Sequence, residues 1–433
     1  MWKFVIFCVF VVLVSACTSL KKVIIRKDAN KILNESPIFK EQFTGFSLYD
    51  IETNEFLIDY NADKKFTPAS NTKLLTMYSV LKTFNDSIPG LIYKKTDEGL
   101  IVAPTGDPTF LHPKFKNQKA FNFLKKSEII TITYPKNELK MFGNGWAWDD
   151  YTYDYQPQRS WWPIYANTIR IIKKDTVLEV IPEFFTDYVE ISSSSIPGEQ
   201  VSGEQVYRDN KFNIFKTTFK SDTSSFERVI PYDHSKELLV RLLNDTLNTS
   251  ITTSNNELTR PDTLYSQSVD FMLAMMMKPS DNFLAEQLLI QAAWKNGFNH
   301  IRPFMYYAKN KWMRSLSEIK WVDGSGLSRY NLISPNDQVK LLKLCYDEFG
   351  IDRLKWILPK GGEGTLRKWY ISEEPYIYAK TGTLSNNHNL SGFLITRSGK
   401  TMIFSLMNNH YIRPTTEVKK EMQRFLNEIR DAY

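Results

Sequence analysis

A chain of 433 residues, 42% hydrophobic and 14% aromatic, has enough apolar side chain to fill two or three packed lobes, and this composition excludes a disordered chain. Its net charge of +7 is mild at this length and no dense basic run interleaves with aromatics, which speaks against nucleic-acid binding but is compatible with an anionic wall polymer or membrane nearby. Three cysteines (Cys8, Cys17, Cys345) and five scattered histidines offer no disulfide framework, no His-Glu-x-x-His and no Cys-x-x-Cys, so a metal enzyme is not expected.

In chain order, residues 1–16 read as a secretion signal: Lys3, an apolar run from Phe4 to Leu13, then small residues. Cys17 directly follows Ser15-Ala16, as in a bacterial lipobox, whose Cys becomes the lipidated first residue. An ordinary signal with an incidental Cys, or an uncleaved anchor, is the alternative; each exports the chain. Residues 18–40 read as a tether running into a first helix. Phe46–Ile51 and Phe56–Tyr60 alternate as strands around a turn at Glu52–Glu55. This hairpin leads to Pro68-Ala69-Ser70-Asn71-Thr72-Lys73, followed by Leu74–Leu81, apolar at helical spacing.

From residue 85 to 262 the pattern is short alternating runs broken by Pro, Gly, Ser and Asn, expected as a β-rich insertion of one or two small domains. Within it, Ser192–Ser195 and Gly198–Gly203 look like exposed loop, and Leu238–Leu243 regains helical spacing. Gly145–Tyr155 is dense in aromatics and acids. It reads either as local packing or as a lip over a cleft. Trp161-Trp162 could stack on sugar rings, although packing is the simpler expectation. Next, the Met-rich run Phe271–Met277, a core filler, meets the apolar Phe283–Leu289 across Pro279, with Ser280-Asp281-Asn282 at the junction. Two glycine-rich loops follow, Asp323–Arg329 and Gly361–Leu366. The strand-like Tyr376–Leu384 then carries Lys380-Thr381-Gly382, with further strands at Leu390–Thr396 and Met402–Met407. The closing helix, 415–432, presents Val418, Met422, Phe425, Leu426 and Ile429 on one face.

A Ser and a Lys three apart on a helix lie side by side. The hydroxyl becomes a nucleophile if the amine is neutral, and a free lysine titrates near ~10.4, so burial or a nearby cation must lower it. The same spacing recurs at Ser19/Lys22, Ser79/Lys82 and Ser317/Lys320. What singles out Ser70-x-x-Lys73 is company: Ser280-x-Asn282 and Lys380-Thr381-Gly382 follow in order, on a helix junction and a strand.

These motifs, with Gly106–Thr109, Gly145–Asp150, Asp323–Arg329 and Gly364–Leu366, resemble the D-alanyl-D-alanine carboxypeptidase/endopeptidases of the class C low-molecular-mass penicillin-binding proteins. That family carries a large insertion between its first two motifs, as here. The resemblance implies an α/β (α+β) fold: a serine β-lactamase/DD-peptidase-like domain with an antiparallel sheet flanked by helices, from residues 17–84 and 263–433, interrupted by the 85–262 insertion.

It further implies catalysis by Ser70, Lys73, Ser280, Asn282 and Lys380, with no cofactor. Thr381, Gly382 and Thr383 would hold the substrate carboxylate, and Asp150, Tyr155 and Arg329 the peptide side chain. Lys380 is expected to keep Lys73 deprotonated. Implied partners are peptidoglycan stem peptides, β-lactams as inhibitors, and a membrane reached through a lipid at Cys17; nucleic acid is not among them. Two rivals stay open: a β-lactamase or esterase on the same scaffold, and a catalytically silent wall-binding lipoprotein.

Overall fold

The computed structural model describes residue 27 and residues 29–135, 138–175, 177–194, 202–208, 212–220 and 225–433. The leader 1–16 and Cys17 lie outside the described residues.

The expected hairpin forms from β1 (Phe43–Asp50) and β2 (Glu55–Tyr60). Three late strands join it: β14 (Ile377–Leu384), β15 (Asn387–Ile395) and β16 (Thr401–Asn409). The result is one antiparallel sheet in the order β14-β15-β16-β1-β2. The two ends of the chain therefore build one body, with β1 and β16 in register from Phe43↔Asn409 to Asp50↔Met402.

Helices cover both faces, so β1 is buried from Thr44 to Asp50 rather than alternating. On one face, helices Lys73–Thr83, Val269–Met277, Asn282–Lys295 and Pro335–Phe349 share a core with Phe393, Ile403 and Met407. Met272, Met276 and Met277 fill that core, as expected. On the other, the closing helix Thr415–Ala432 buries the predicted stripe Val418, Met422, Phe425, Leu426 and Ile429. Phe425 meets Phe39 and Phe46 edge to face at 5.7 and 4.9 Å.

Between the Lys73–Thr83 and Val269–Met277 helices lies the β-rich region. Strands β3 (Ser87–Thr96), β4 (Gly99–Pro104), β5 (Ile129–Thr133), β12 (Ser250–Ser254) and β13 (Asp262–Ser268) form a mixed sheet in the order β12-β5-β4-β3-β13. The expected limit at 262/263 thus falls inside β13, which pairs with β3. A second sheet joins β6 (Thr168–Lys174), β7 (Val177–Ile181) and β11 (Ser225–Pro231), and a third joins β8 (Val189–Ser194), β9 (Ser202–Arg208) and β10 (Phe212–Lys220).

One expectation needs correction. Ser192–Ser194, Ser202 and Gly203 are strand, not loop, because both segments pair with β10; Ser195 and residues 198–201 lie outside the described residues. Trp161 and Trp162 are buried in packing, as expected.

Candidate active site

Ser70 sits in a single 3-10 turn, Ala69–Thr72, that runs directly into the Lys73–Thr83 helix. All of Lys73–Leu81 is buried, so this helix is a central post that meets solvent only at its last two residues. Two glycines let backbone press against the turn. A Cβ on Gly382 would lie 2.2 Å from Pro68 O, and one on Gly326, at φ +87°, would lie 1.9 Å from Ala69 O. The Lys-Thr-Gly strand and the 323–329 loop therefore clasp Ser70 from two sides.

Lys73 is the most constrained group. Its Nζ lies 2.9 Å from Ser70 Oγ, 2.6 Å from Asn282 Oδ1 and 2.7 Å from Ser325 O. Burial lowers its pKa to about 8; the Asp323, Asp281 and Glu286 carboxylates pull the other way. Two of its three neighbours can only accept, while Ser70 Oγ can donate or accept. A neutral amine has two N–H groups and one lone pair. With both N–H groups spent on Asn282 and Ser325, the lone pair is left for the Ser70 proton.

Ser280 joins this pocket from a strained position. Its φ of 67° is left-handed without being glycine, in the short break Lys278-Pro279-Ser280-Asp281 between helices Val269–Met277 and Asn282–Lys295. Asp281 is the N-cap that stops the chain there: its Oδ1 accepts from Leu284 N at 3.0 Å and its Oδ2 from Lys114 Nζ at 2.7 Å. Ser280 Oγ accepts from Lys380 Nζ at 2.8 Å, and Lys380 also donates to Thr381 O at 2.8 Å. Three stretches remote in sequence thus meet through Ser70–Lys73–Asn282 and Ser280–Lys380.

Burial is the largest cause of the lowered Lys73 pKa, and burial and then the charge on Lys73 push the Lys380 pKa well down. Repulsion between two ammonium groups is mutual, so each disfavours the other's charged form.

The threonines expected to hold a substrate carboxylate, Thr381 and Thr383, are already hydrogen-bonded. Thr381 Oγ1 donates to Thr365 Oγ1 at 2.8 Å, which brings the Gly364-Thr365-Leu366 loop to the site. Thr383 Oγ1 lies 2.7 Å from Nδ1 of His388, a buried ring held neutral with its pKa pushed down to about 3 by desolvation. Asp150 and Tyr155 come together, with Tyr155 Oη donating to Asp150 Oδ1 at 2.8 Å. Tyr155 also accepts from Asn282 Nδ2 through its carbonyl at 2.9 Å. Arg329 Nη2 donates to Ser385 O at 3.2 Å, just beyond the Lys-Thr-Gly strand.

Motif reading missed the frame that holds Ser325. Glu286 Oε1 accepts from Ser325 N at 2.7 Å, and its Oε2 is gripped by Arg159 Nε and Nη2 at 2.8 and 2.5 Å. Both side chains are buried, which makes this a fork-shaped internal ion pair. Asp323 accepts from Gly326 N, Ser328 N, Asn331 Nδ2 and Trp146 Nε1, between 2.7 and 2.9 Å. The glycine-rich loop is therefore a brace, and Gly145-Trp146 is its counterpart in the inserted region. The signal in the sequence was the pairing of Asp323 with two glycines; nothing local pointed to Arg159.

Set on one side of a helix-covered antiparallel sheet, this geometry defines the serine β-lactamase/DD-peptidase class. The family model for D-Ala-D-Ala carboxypeptidase 3 (S13) matches residues 25–429, and the chain belongs to that family. It is accordingly a serine-type D-Ala-D-Ala carboxypeptidase. The D-alanyl-D-alanine carboxypeptidase DacB of Haemophilus influenzae is 23% identical over 439 residues, covering 90% of each chain. The crystal structure of penicillin binding protein 4 (dacB) from Haemophilus influenzae superposes with a TM-score of 0.73 at 20% identity, covering 93% of this chain and 98% of that one. The same protein complexed with a novel beta-lactam gives 0.68 at 19% identity over the same shares.

The clasp around Ser70 makes a prediction. Gly326→Ala forces the loop carrying Ser325 away from Ala69 O by an ångström or more. Displacements of ~1 Å at a reacting centre cost on the order of 10²-fold in rate. Stopped-flow acylation by a fluorescent penicillin should slow by about that factor, while far-ultraviolet circular dichroism stays that of the parent.

Proposed function

We propose that Ser70 is the nucleophile and Lys73 its general base, in a D-Ala-D-X peptidase acting on peptidoglycan stem peptides through an acyl-enzyme. The observation that carries this is the partner set of Lys73: two obligate acceptors and one hydroxyl. Ser70 Oγ attacks the carbonyl carbon of the penultimate D-Ala as its proton passes to Lys73 Nζ. The backbone N–H groups of Ser70 and Thr383 stabilise the oxyanion; one such donor is typically worth ~10²–10³ in rate. Ser280 relays a proton to the leaving amine as the C–N bond breaks, and water then hydrolyses the ester.

Lys380 has no carboxylate partner in its hydrogen bonds. The terminal carboxylate of the substrate supplies that opposite charge and restores the protonated form of Lys380. Thr381 and Thr383 turn their hydroxyls from Thr365 and His388 to the same carboxylate. Asn282 orients the substrate amide, and Asp150, with Tyr155 beside it, meets a free amine on the peptide side chain. A β-lactam carries the same carboxylate and a strained amide, so it acylates Ser70 and remains bound.

The chain is exported and tethered through a lipid on Cys17. The support is the leader pattern alone; among the described residues no helix is long and apolar enough to cross a membrane. In cells fed an alkyne fatty acid, the wild-type chain should take up label and fractionate with membranes. Cys17→Ser should lose both; label retained by that variant contradicts the anchor.

The chemical reading has its own test. Penicillin acylation should rise about tenfold per pH unit below the Lys73 pKa and level off above about 8, because only the neutral amine accepts the proton. Ser70→Ala should abolish labelling, and Lys73→Met should slow it by ~10²–10⁴-fold, the usual contribution of a positioned base. Hydrolysis of penicillin with prompt loss of label would instead make the protein a β-lactamase.

A further inference from the structure

Outside the catalytic pocket, the inserted region carries a cavity of about 370 Å³ walled by Phe142, Trp146, Trp148 and Tyr151 and floored by Gln156. That volume is in the range of small-molecule sites. Its walls are aromatic and open: Trp148 is 82% exposed, and its ring lies parallel to that of Tyr151, 12° apart in plane with centroids at 6.4 Å. A tryptophan left this bare on a folded protein is the kind of apolar surface that marks a binding site.

The floor points to a polar ligand. Gln156 is 2% exposed, and its Nε2 donates to Ala147 O at 3.0 Å, which fixes the amide orientation. Its Oε1 is buried and has no hydrogen-bond partner among the described residues. A buried acceptor without a donor costs free energy, and a ligand N–H or O–H would satisfy it. Among the described residues the lining contains no cation, the Arg159 guanidinium over the Trp146 ring being buried and paired with Glu286, and Asp149 and Asp150 follow Trp148 in the same short turn, which disfavours an anionic lipid or phosphate.

The segment that forms the cup is hydrogen-bonded to residues that frame the catalytic pocket. Tyr155, the residue before Gln156, accepts from Asn282 through its carbonyl. Trp146 donates to Asp323 at 2.9 Å, two residues before the Ser325 carbonyl that holds Lys73.

We propose that this cup binds an N-acetylhexosamine ring of the glycan strand that bears the stem peptide. The apolar face of the ring stacks on Trp148 and Tyr151, and an acetamido N–H or hydroxyl donates to Gln156 Oε1. The proposal rests on the peptidase reading, since it takes the sugar from that substrate. It predicts that the enzyme distinguishes a stem peptide still attached to sugar from the free peptide.

Titration of the full chain with a peptide-free N-acetylglucosamine trisaccharide, followed by calorimetry, tests this directly. Wild type should bind, and Trp148→Ala should weaken binding by at least about tenfold, the loss typical of a central aromatic anchor. The same variant should raise KM for a disaccharide-pentapeptide while leaving the free pentapeptide and the rate of penicillin acylation unchanged. An enzyme acylated by penicillin that does not bind the saccharide, or a Trp148→Ala variant that binds it like wild type, overturns the cup. So does preferential binding of an apolar peptide. Saccharide binding by a protein that penicillin does not acylate supports the cup and contradicts the peptidase reading, so the two failures are told apart.

Discussion

A lysine amine buried beside a serine hydroxyl is the constraint on which the rest depends. Placing a cationic group in the interior is costly, and burial lowers the Lys73 pKa to about 8. Three carboxylates in the neighbourhood oppose this, but each is directed elsewhere: Asp323 to the loop it braces, Glu286 to Arg159, Asp281 to a helix N-terminus and Lys114. None forms an ion pair with Lys73 itself. The amine is thus left without a carboxylate in its hydrogen bonds, and burial brings its pKa to about 8, near the pH at which a base is useful.

The fold supplies this arrangement by bringing remote segments onto one wall. Residues 43–84 and the C-terminal part complete a single sheet, so the Ser70 turn is pinned between β14 and the 323–329 loop. The helix break at Ser280 is strained, and its neighbours hold it: a capping Asp281 and a hydrogen bond from Lys380. The inserted region contributes to the site as well as to its rim. Arg159 grips Glu286, Trp146 holds Asp323, and the Tyr155 carbonyl orients Asn282.

Much of this was legible in the sequence, for identifiable reasons. Ser70, Lys73, Ser280, Asn282 and Lys380 stood out because three short motifs occurred in order and in fitting local contexts. The closing helix was legible from its apolar stripe, and the first hairpin from its alternation. The brace was not. Arg159 and Glu286 are 127 positions apart, and no local pattern links them. The same holds for Thr365 against Thr381 and for His388 behind Thr383, whose roles arise from strand register and loop closure. Trp161-Trp162 and Gly145–Tyr155 are alike in aromatic composition. Only the tertiary structure shows that the first is core and the second carries an exposed ring.

The direct measurement of the central claim is the titration of the Lys73 amine itself. Heteronuclear NMR of the enzyme labelled at lysine Nζ and Cε, with the Lys73 signal assigned by its loss in Lys73→Met, reports that group alone. The account predicts a midpoint near 8. A midpoint at the ordinary lysine value of ~10.4 would mean the amine stays charged at working pH, and would contradict its role as the base for Ser70.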